Sequence, residues 1–264
     1  LGRRIADNGV VFYASPLLER IGVPHAFSTR IGGVSAGIFS SLNLGNPSGT
    51  VLDSSDHIAE NYRRLMEAAG CEGKVKRSVF QVHGADVVWM NRETNCVQQP
   101  AADAIACDDP RCVACVRMAD CVPVLLAGSD GKIVAAVHAG WRGVVAGVVS
   151  AAIAALRRRI QPGREILAAI GPSIGAGNFE VGMEVVEEFR RVFGTDAPAQ
   201  LRCGGKAHVD LRAAIGLQLH KCGVDADHID STDRCTFRDK DEFFSHRRER
   251  GVSGRMAAII APRA

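Results

Sequence analysis

Three side chains in this sequence have the types needed to hold a metal ion and leave it open to substrate: His83, Cys121 and His138. His83 lies in QVHGADV (81–87), Cys121 in MADCVPVLL (118–126) and His138 in AAVHAGWRG (135–143). In each segment the candidate ligand stands where an apolar run gives way to a turn. Strand ends are where a rigid scaffold presents functional groups. Two imidazoles and one thiolate suit zinc, and three protein donors leave a fourth position for water or substrate, which marks a catalytic site. On spacing alone the blander reading prevails: two structural histidines and a buried cysteine, because the ligands are far apart in the chain.

The elements that must position these residues are legible in part. Ile58, Tyr62, Leu65, Met66 and Ala69 share one face at helical spacing, which predicts a helix over 56–69 stopped by Gly70. Further helices are expected over 144–159, 183–193 and 211–222, the last with Asp210 as N-cap and Gly223 as its stop. Strand-like runs cover 77–82, 87–90, 112–118, 122–127, 133–138, 166–170 and 255–260, with a hairpin turn at Ser129–Lys132. Several strands follow one another before a helix intervenes. That order points to an α+β fold, a single domain over residues 1–264 with mixed β-sheets flanked by helices.

Composition narrows the class. The chain has 264 residues, 47% hydrophobic and 23% charged, with a formal charge of +3. Those are values of a globular enzyme with a substantial core and no strong pull toward nucleic acid or membrane. No stretch approaches the ~20 apolar residues of a membrane span, and no signal-peptide core opens the sequence, which begins at Leu1. Nine cysteines without a secretory signal read as free thiols in a reducing, cytoplasmic setting.

Other motifs are weaker. Cys107, Cys112 and Cys115 form C-x4-C-x2-C, the spacing of an iron–sulfur loop. Cys121, Cys203, Cys222 or Cys235 could nominally supply a fourth ligand, but Cys115 sits inside an apolar strand pattern, and the three read as ordinary loop and strand residues. Pro110–Cys115 imitates a deaminase zinc motif, interrupted by Arg111 and without any His-x-Glu. GPSIGAG (171–177) matches neither the P-loop nor the dinucleotide pattern and reads as a tight turn.

Nearly the whole chain resembles the YfiH-type family, also named for a laccase domain or a multicopper polyphenol oxidase and associated with purine nucleoside phosphorylase activity. The resemblance is carried by FSTRIGGVSAGIFSSLNLG (27–45), the three ligand segments, AIGPSIGAGNFEVG (169–182) and STDRCTFRDKDEFFSHRRERGVSGRMAAII (231–260), in that order. It implies a YfiH-like α+β fold and a zinc site of His83, Cys121 and His138. It also implies phosphorolysis of adenosine, inosine, guanosine and methylthioadenosine, and hydrolytic deamination of adenosine, with small nucleosides and phosphate as partners.

The residues make chemical sense of that activity. Zinc makes water a nucleophile near neutral pH, as deamination requires. Arg142 falls in the first turn of the helix after His138, where free N–H groups favour a phosphate. Arg30 and Arg247 are candidates for charge-assisted bonds to phosphate or ribose. Asp120 is a candidate general base or a support for a ligand, and Asp86 a candidate for orienting an imidazole. Asn43 is either a turn residue or a substrate contact. A laccase proper is disfavoured, since a multicopper centre needs many histidines, commonly in His-x-His pairs, and this chain has eight with no such pair; a copper-binding polyphenol oxidase with copper(II) in the zinc site stays as an alternative that the resemblance implies. Two other classes stay open. Cys121 activated by a histidine would make a cysteine hydrolase, and the resemblance implies peptidoglycan precursors as what such an enzyme edits. A non-catalytic adaptor is disfavoured by the complete ligand set.

Overall fold

The computed structural model describes residues 1–94, 99–201 and 205–264; Cys203 lies outside them. Two six-stranded sheets dominate. In spatial order the first contains Gly2–Ile5, Val11–Ala14, His25–Ser28, Met256–Ile260, Cys112–Met118 and Val75–Ser78. The second contains Ile229–Asp230, Ile166–Ile170, Val122–Gly128, Val134–Ala139, Ala104–Cys107 and Val87–Trp89. Both mix antiparallel and parallel pairs: Val75–Ser78 runs parallel to Cys112–Met118, and Val87–Trp89 parallel to Ala104–Cys107. A small third sheet joins Glu180–Val181, Ala207–Val209 and Ala199–Leu201.

The chain is therefore an α+β protein, built in four layers. Phe27, Val116, Leu125, Ala136 and Ile260 belong to the core between the two large sheets. The outer face of the first sheet packs Val113, Cys115 and Ile259 against Tyr62 and Leu65 of the helix Ser55–Ala68. The outer face of the second packs Val124, Leu126 and Val137 against the helices Val148–Arg157, Met183–Phe193 and Leu211–Lys221. Burial on both faces explains why the central strands read as unbroken apolar runs. Each fully buried Val, Leu or Ile contributes roughly 1.5–3 kcal/mol, so these layers outweigh surface ion pairs of about 0–1 kcal/mol.

Three departures from the sequence reading bear on the site. The helix expected over 144–159 is two, Trp141–Ala146 and Val148–Arg157, because Gly147 adopts φ 84°. That left-handed conformation suits glycine and ends a helix. The strand expected over 77–82 pairs only over Val75–Ser78. Beyond it the chain leaves the first sheet, touches Ala101 through a single bridge at Phe80, and crosses to the second sheet. Finally, Val11–Ala14, His25–Ser28 and Ala104–Cys107 are strands that alternation could not reveal, since every residue in them is buried.

Candidate metal centre

Strand register brings the site together. Val122 pairs with Ala139 and Pro123 with His138, so Cys121 sits at the end of its strand beside the end of the histidine strand. Ala104 pairs with Val137 on the other side, which sets Asp103 opposite His138. The crossing segment 79–86 then carries His83 over these strand ends. The ligand atoms of His83, Cys121 and His138 all lie within 4.8 Å of one another, and the two imidazoles meet edge to face with centroids 5.0 Å apart. Among the described residues this is the one such group of potential metal ligands.

Asp103 holds the arrangement. Its carboxylate is fully buried and accepts the backbone N–H groups of Val82, His83 and Gly84 at 3.2, 3.0 and 2.6 Å. These bonds fix His83 at φ 61°, in the left-handed region. The same carboxylate lies 2.8 Å from Nδ1 of His138. A carboxylate can only accept, so Nδ1 carries the proton and Nε2 keeps its lone pair for a metal. Gly140 completes the cradle: a Cβ there would fall 2.8 Å from Cδ2 of His83 and 3.1 Å from Sγ of Cys121. The donor set, the oriented imidazole and this close approach all fit a resident metal ion.

Cys121 and His138 favour each other's charged forms. Burial pushes the Cys121 thiol up, but His138 and His83 outweigh it and hold the thiol at about 6. Burial pushes His138 down, but the Cys121 thiolate and Asp103 raise it to about 9. Burial pushes the Asp103 carboxyl up as well, and the bonds from His138, Gly84 and Val82 leave it below its usual range.

Two cavities meet at His83 and Cys121. The larger, about 410 Å³, is lined by Asn46, Gln81, Arg117 and Arg255 beside all three ligands. The smaller, about 250 Å³, has apolar walls of Trp141, Ile174, Phe179 and Leu211 and is rimmed by Asp120, Arg142 and Arg247. The Arg142 guanidinium stacks on Trp141 at 4.3 Å, and that of Arg247 lies 5.4 Å from the Phe179 ring. Both oxygens of Asp120 are engaged, one by the Thr236 hydroxyl at 2.6 Å and one by the Arg247 N–H at 2.7 Å. Asp120 itself stands at φ 90°, so these bonds hold the elbow that presents Cys121.

Two expected residues stand elsewhere. Arg30 donates to the carbonyls of Ser40 and Lys240 and stacks on Phe244, and it lines neither cavity. Asn43 is fully buried, tying Asp53 to the N–H groups of Gly45 and Arg255. The carboxylate that orients an imidazole is Asp103, not Asp86, which contributes only its carbonyl to the N–H groups of Asp103 and Ala104. His246, which lines both cavities, was also missed. The one sequence signal for Asp103 is a lone carboxylate inside the apolar run AADAIAC.

A family described as multi-copper polyphenol oxidoreductase laccase matches residues 24–263. The chain belongs to that family. It is 40% identical over 239 residues to the purine nucleoside phosphorylase YfiH of Shigella flexneri, covering 90% of this chain and 93% of that one. The purine nucleoside phosphorylase YfiH of Escherichia coli K12 matches to the same extent. The crystal structure of YlmD from Geobacillus stearothermophilus covers 99% of both chains with a TM-score of 0.87 at 31% identity. The multi-copper part of the family's name does not fit these residues. All eight histidines lie among the described residues, and only His83 and His138 gather with a thiol into a candidate metal group. Among the described residues, that three-donor group is the one candidate centre.

Proposed function

We propose that the chain is a metal-dependent purine nucleoside phosphorylase that also deaminates adenosine. The observation that carries this reading is that His83 and Cys121 line both an aromatic-walled cavity and a cationic one, with His138 in the second. A purine base is flat and apolar on its faces, which matches Trp141 and Phe179. Arg142 and Arg247 rim that cavity as donors for ribose hydroxyls. In phosphorolysis a phosphate oxygen forms a bond to the anomeric carbon while the glycosidic C–N bond breaks, and the base leaves with the electron pair and takes up a proton. His83, Cys121 and His138 would hold zinc, with copper(II) the alternative occupant of the same donors. A bound zinc ion supplies a Lewis acid and makes water a nucleophile near neutral pH, the chemistry that deamination needs. Asp103 fixes the His138 tautomer and the His83 turn, and Asp120 holds the Cys121 elbow. Adenosine, inosine, guanosine and methylthioadenosine are the proposed substrates in a cytoplasmic setting. Among the described residues no helix is long and apolar enough to cross a membrane.

The test is product analysis with adenosine, with and without phosphate, on metal-replete protein. Adenine and a ribose phosphate formed only with phosphate report phosphorolysis, and inosine formed in either case reports deamination. Intact nucleoside under all conditions sinks the reading. A cysteine hydrolase is the second reading, favoured by the line Asp103–His138–Cys121 and the thiol held at about 6. Full activity in metal-stripped protein, abolished by thiol alkylation, would select it.

A further inference from the structure

The larger cavity is lined by Arg117 and Arg255 and by no aspartate or glutamate. Arg117 lies in the strand Cys112–Met118 and pairs with Ala257, while Arg255 directly precedes the strand Met256–Ile260. Being two residues from Ala257, Arg255 falls diagonally from Arg117 on the same sheet face, where side chains are in reach of each other. Two like charges on one sheet face destabilise unless something else holds them.

The protein fixes the pair even so. Gln81 bonds the Arg117 backbone through both amide atoms, accepting its N–H at 2.9 Å and donating to its carbonyl at 2.7 Å. Gly45 makes room for the Arg117 side chain, since a Cβ there would fall 2.9 Å from its Cδ and Nη1. Arg255 is anchored by the carbonyls of Ser253 and Gly254 at 2.8 and 3.1 Å. Behind Arg117, in an adjoining recess, Lys76 places its ammonium 3.3 Å from the Tyr62 ring centre. Burial and then Arg117 push Arg255 down, against Asp120, Cys121 and Glu249, and burial pushes Lys76 down with Arg117 adding to it against Cys115. Among the described residues, no ion pair includes Arg117, Arg255 or Lys76, and no acceptor takes a bond from the Arg117 guanidinium.

We propose that Arg117 and Arg255 form the binding site for a phosphate group, in the larger cavity beside the metal ligands. Guanidinium forks match tetrahedral oxyanions, and a phosphate relieves the repulsion that the pair otherwise carries. This deepens the phosphorolytic reading and rests on it for the reaction, but not for binding itself. It also moves the anion away from Arg142, whose helix has only six residues and whose guanidinium is stacked on Trp141. The phosphate is either inorganic phosphate or the phosphate of a nucleoside monophosphate.

The test compares Arg117→Leu with the unaltered protein by calorimetry with inorganic phosphate and with adenosine monophosphate, alongside the KM for phosphate in nucleoside cleavage. Loss of a charge-assisted contact is expected to weaken phosphate binding about tenfold to a hundredfold, with metal content and nucleoside KM unchanged. Arg117→Lys should recover part of the loss, because it keeps the charge without the fork. Weaker binding of adenosine monophosphate with inorganic phosphate unaffected also supports the site and assigns it to a phosphorylated substrate. Unchanged affinity for both ligands in a folded Arg117→Leu protein overturns the proposal. Absence of nucleoside cleavage together with Arg117-dependent phosphate binding would remove the phosphorylase reading and leave this site standing.

Discussion

Cys121 and the group Cys107, Cys112 and Cys115 are the same residue type within one stretch of chain, and they have opposite chemistry. Burial pushes Cys107 up to about 12 and raises Cys112 and Cys115 as well. Cys121 is held at about 6 because two imidazoles face it at a strand end. The three buried sulfurs cannot converge on a metal. Cys107 and Cys112 belong to the core between the large sheets, whereas Cys115 projects from the opposite face of its strand toward Tyr62. Sulfur chemistry here is decided by what faces the thiol, not by how closely cysteines are spaced.

The largest effect should come from Cys121→Ala. Metal content and turnover are expected to fall together by more than ~100-fold, exceeding the usual loss for a ligand's supporting residue. The circular dichroism spectrum should persist, since the core lies elsewhere. Stoichiometric metal with full turnover in that protein would erase the contrast between the two kinds of cysteine.

Asp103→Asn should lower metal affinity by roughly 10–100-fold, because the amide no longer accepts with both oxygens and no longer fixes the His138 tautomer. Stability should drop as well, by about 1–3 kcal/mol, for buried N–H groups left poorly paired. The pH dependence adds a second measurement. Because the folded Asp103 carboxyl titrates below its ordinary range, its stabilisation is present above pH ~4 and is lost as pH falls through the folded value. Acid unfolding of Asp103→Asn should therefore be flatter than that of the unaltered protein. Identical acid limbs would show that Asp103 contributes nothing through its charge.

Arg142→Ala is expected to raise the KM for nucleoside about tenfold by removing one charge-assisted contact, with metal content and the KM for phosphate unchanged. A selective rise in the phosphate KM would return the anion to the smaller cavity. The smallest catalytic effect belongs to the triple substitution of serine at Cys107, Cys112 and Cys115. Turnover should stay within about twofold and metal at one per chain, while thermal stability falls, since each buried hydroxyl costs about 1–3 kcal/mol. A drop from two metals to one would reveal a second centre among those thiols.

Residue types and local pattern made a good part of the molecule legible. Ile58, Tyr62 and Leu65 marked their helix because one face of it is solvated, and period 3.6 shows wherever that is so. The three ligand segments became legible through the family blocks they belong to, because His, Cys and Gly at strand ends suit structural roles equally well. Where both faces of an element are buried the pattern vanishes, as in Val11–Ala14 and Ala104–Cys107. Gly147 sat unnoticed inside an apolar helical run, because only the backbone shows that it turns left-handed.

By itself, then, the sequence determined the α+β class, since that follows from the order and period of its local elements, while the three candidate donors stood out only through the family blocks around them. Tertiary structure alone decided that Asp103 governs the site. Its role depends on Ala104 pairing with Val137 and on the segment 79–86 crossing between sheets, both set by long-range register. It also decided that Arg117 and Arg255 stand together although 138 positions separate them in the sequence. No local pattern encodes such a neighbour, because the pairing energy belongs to two strands that meet only when the whole sheet assembles.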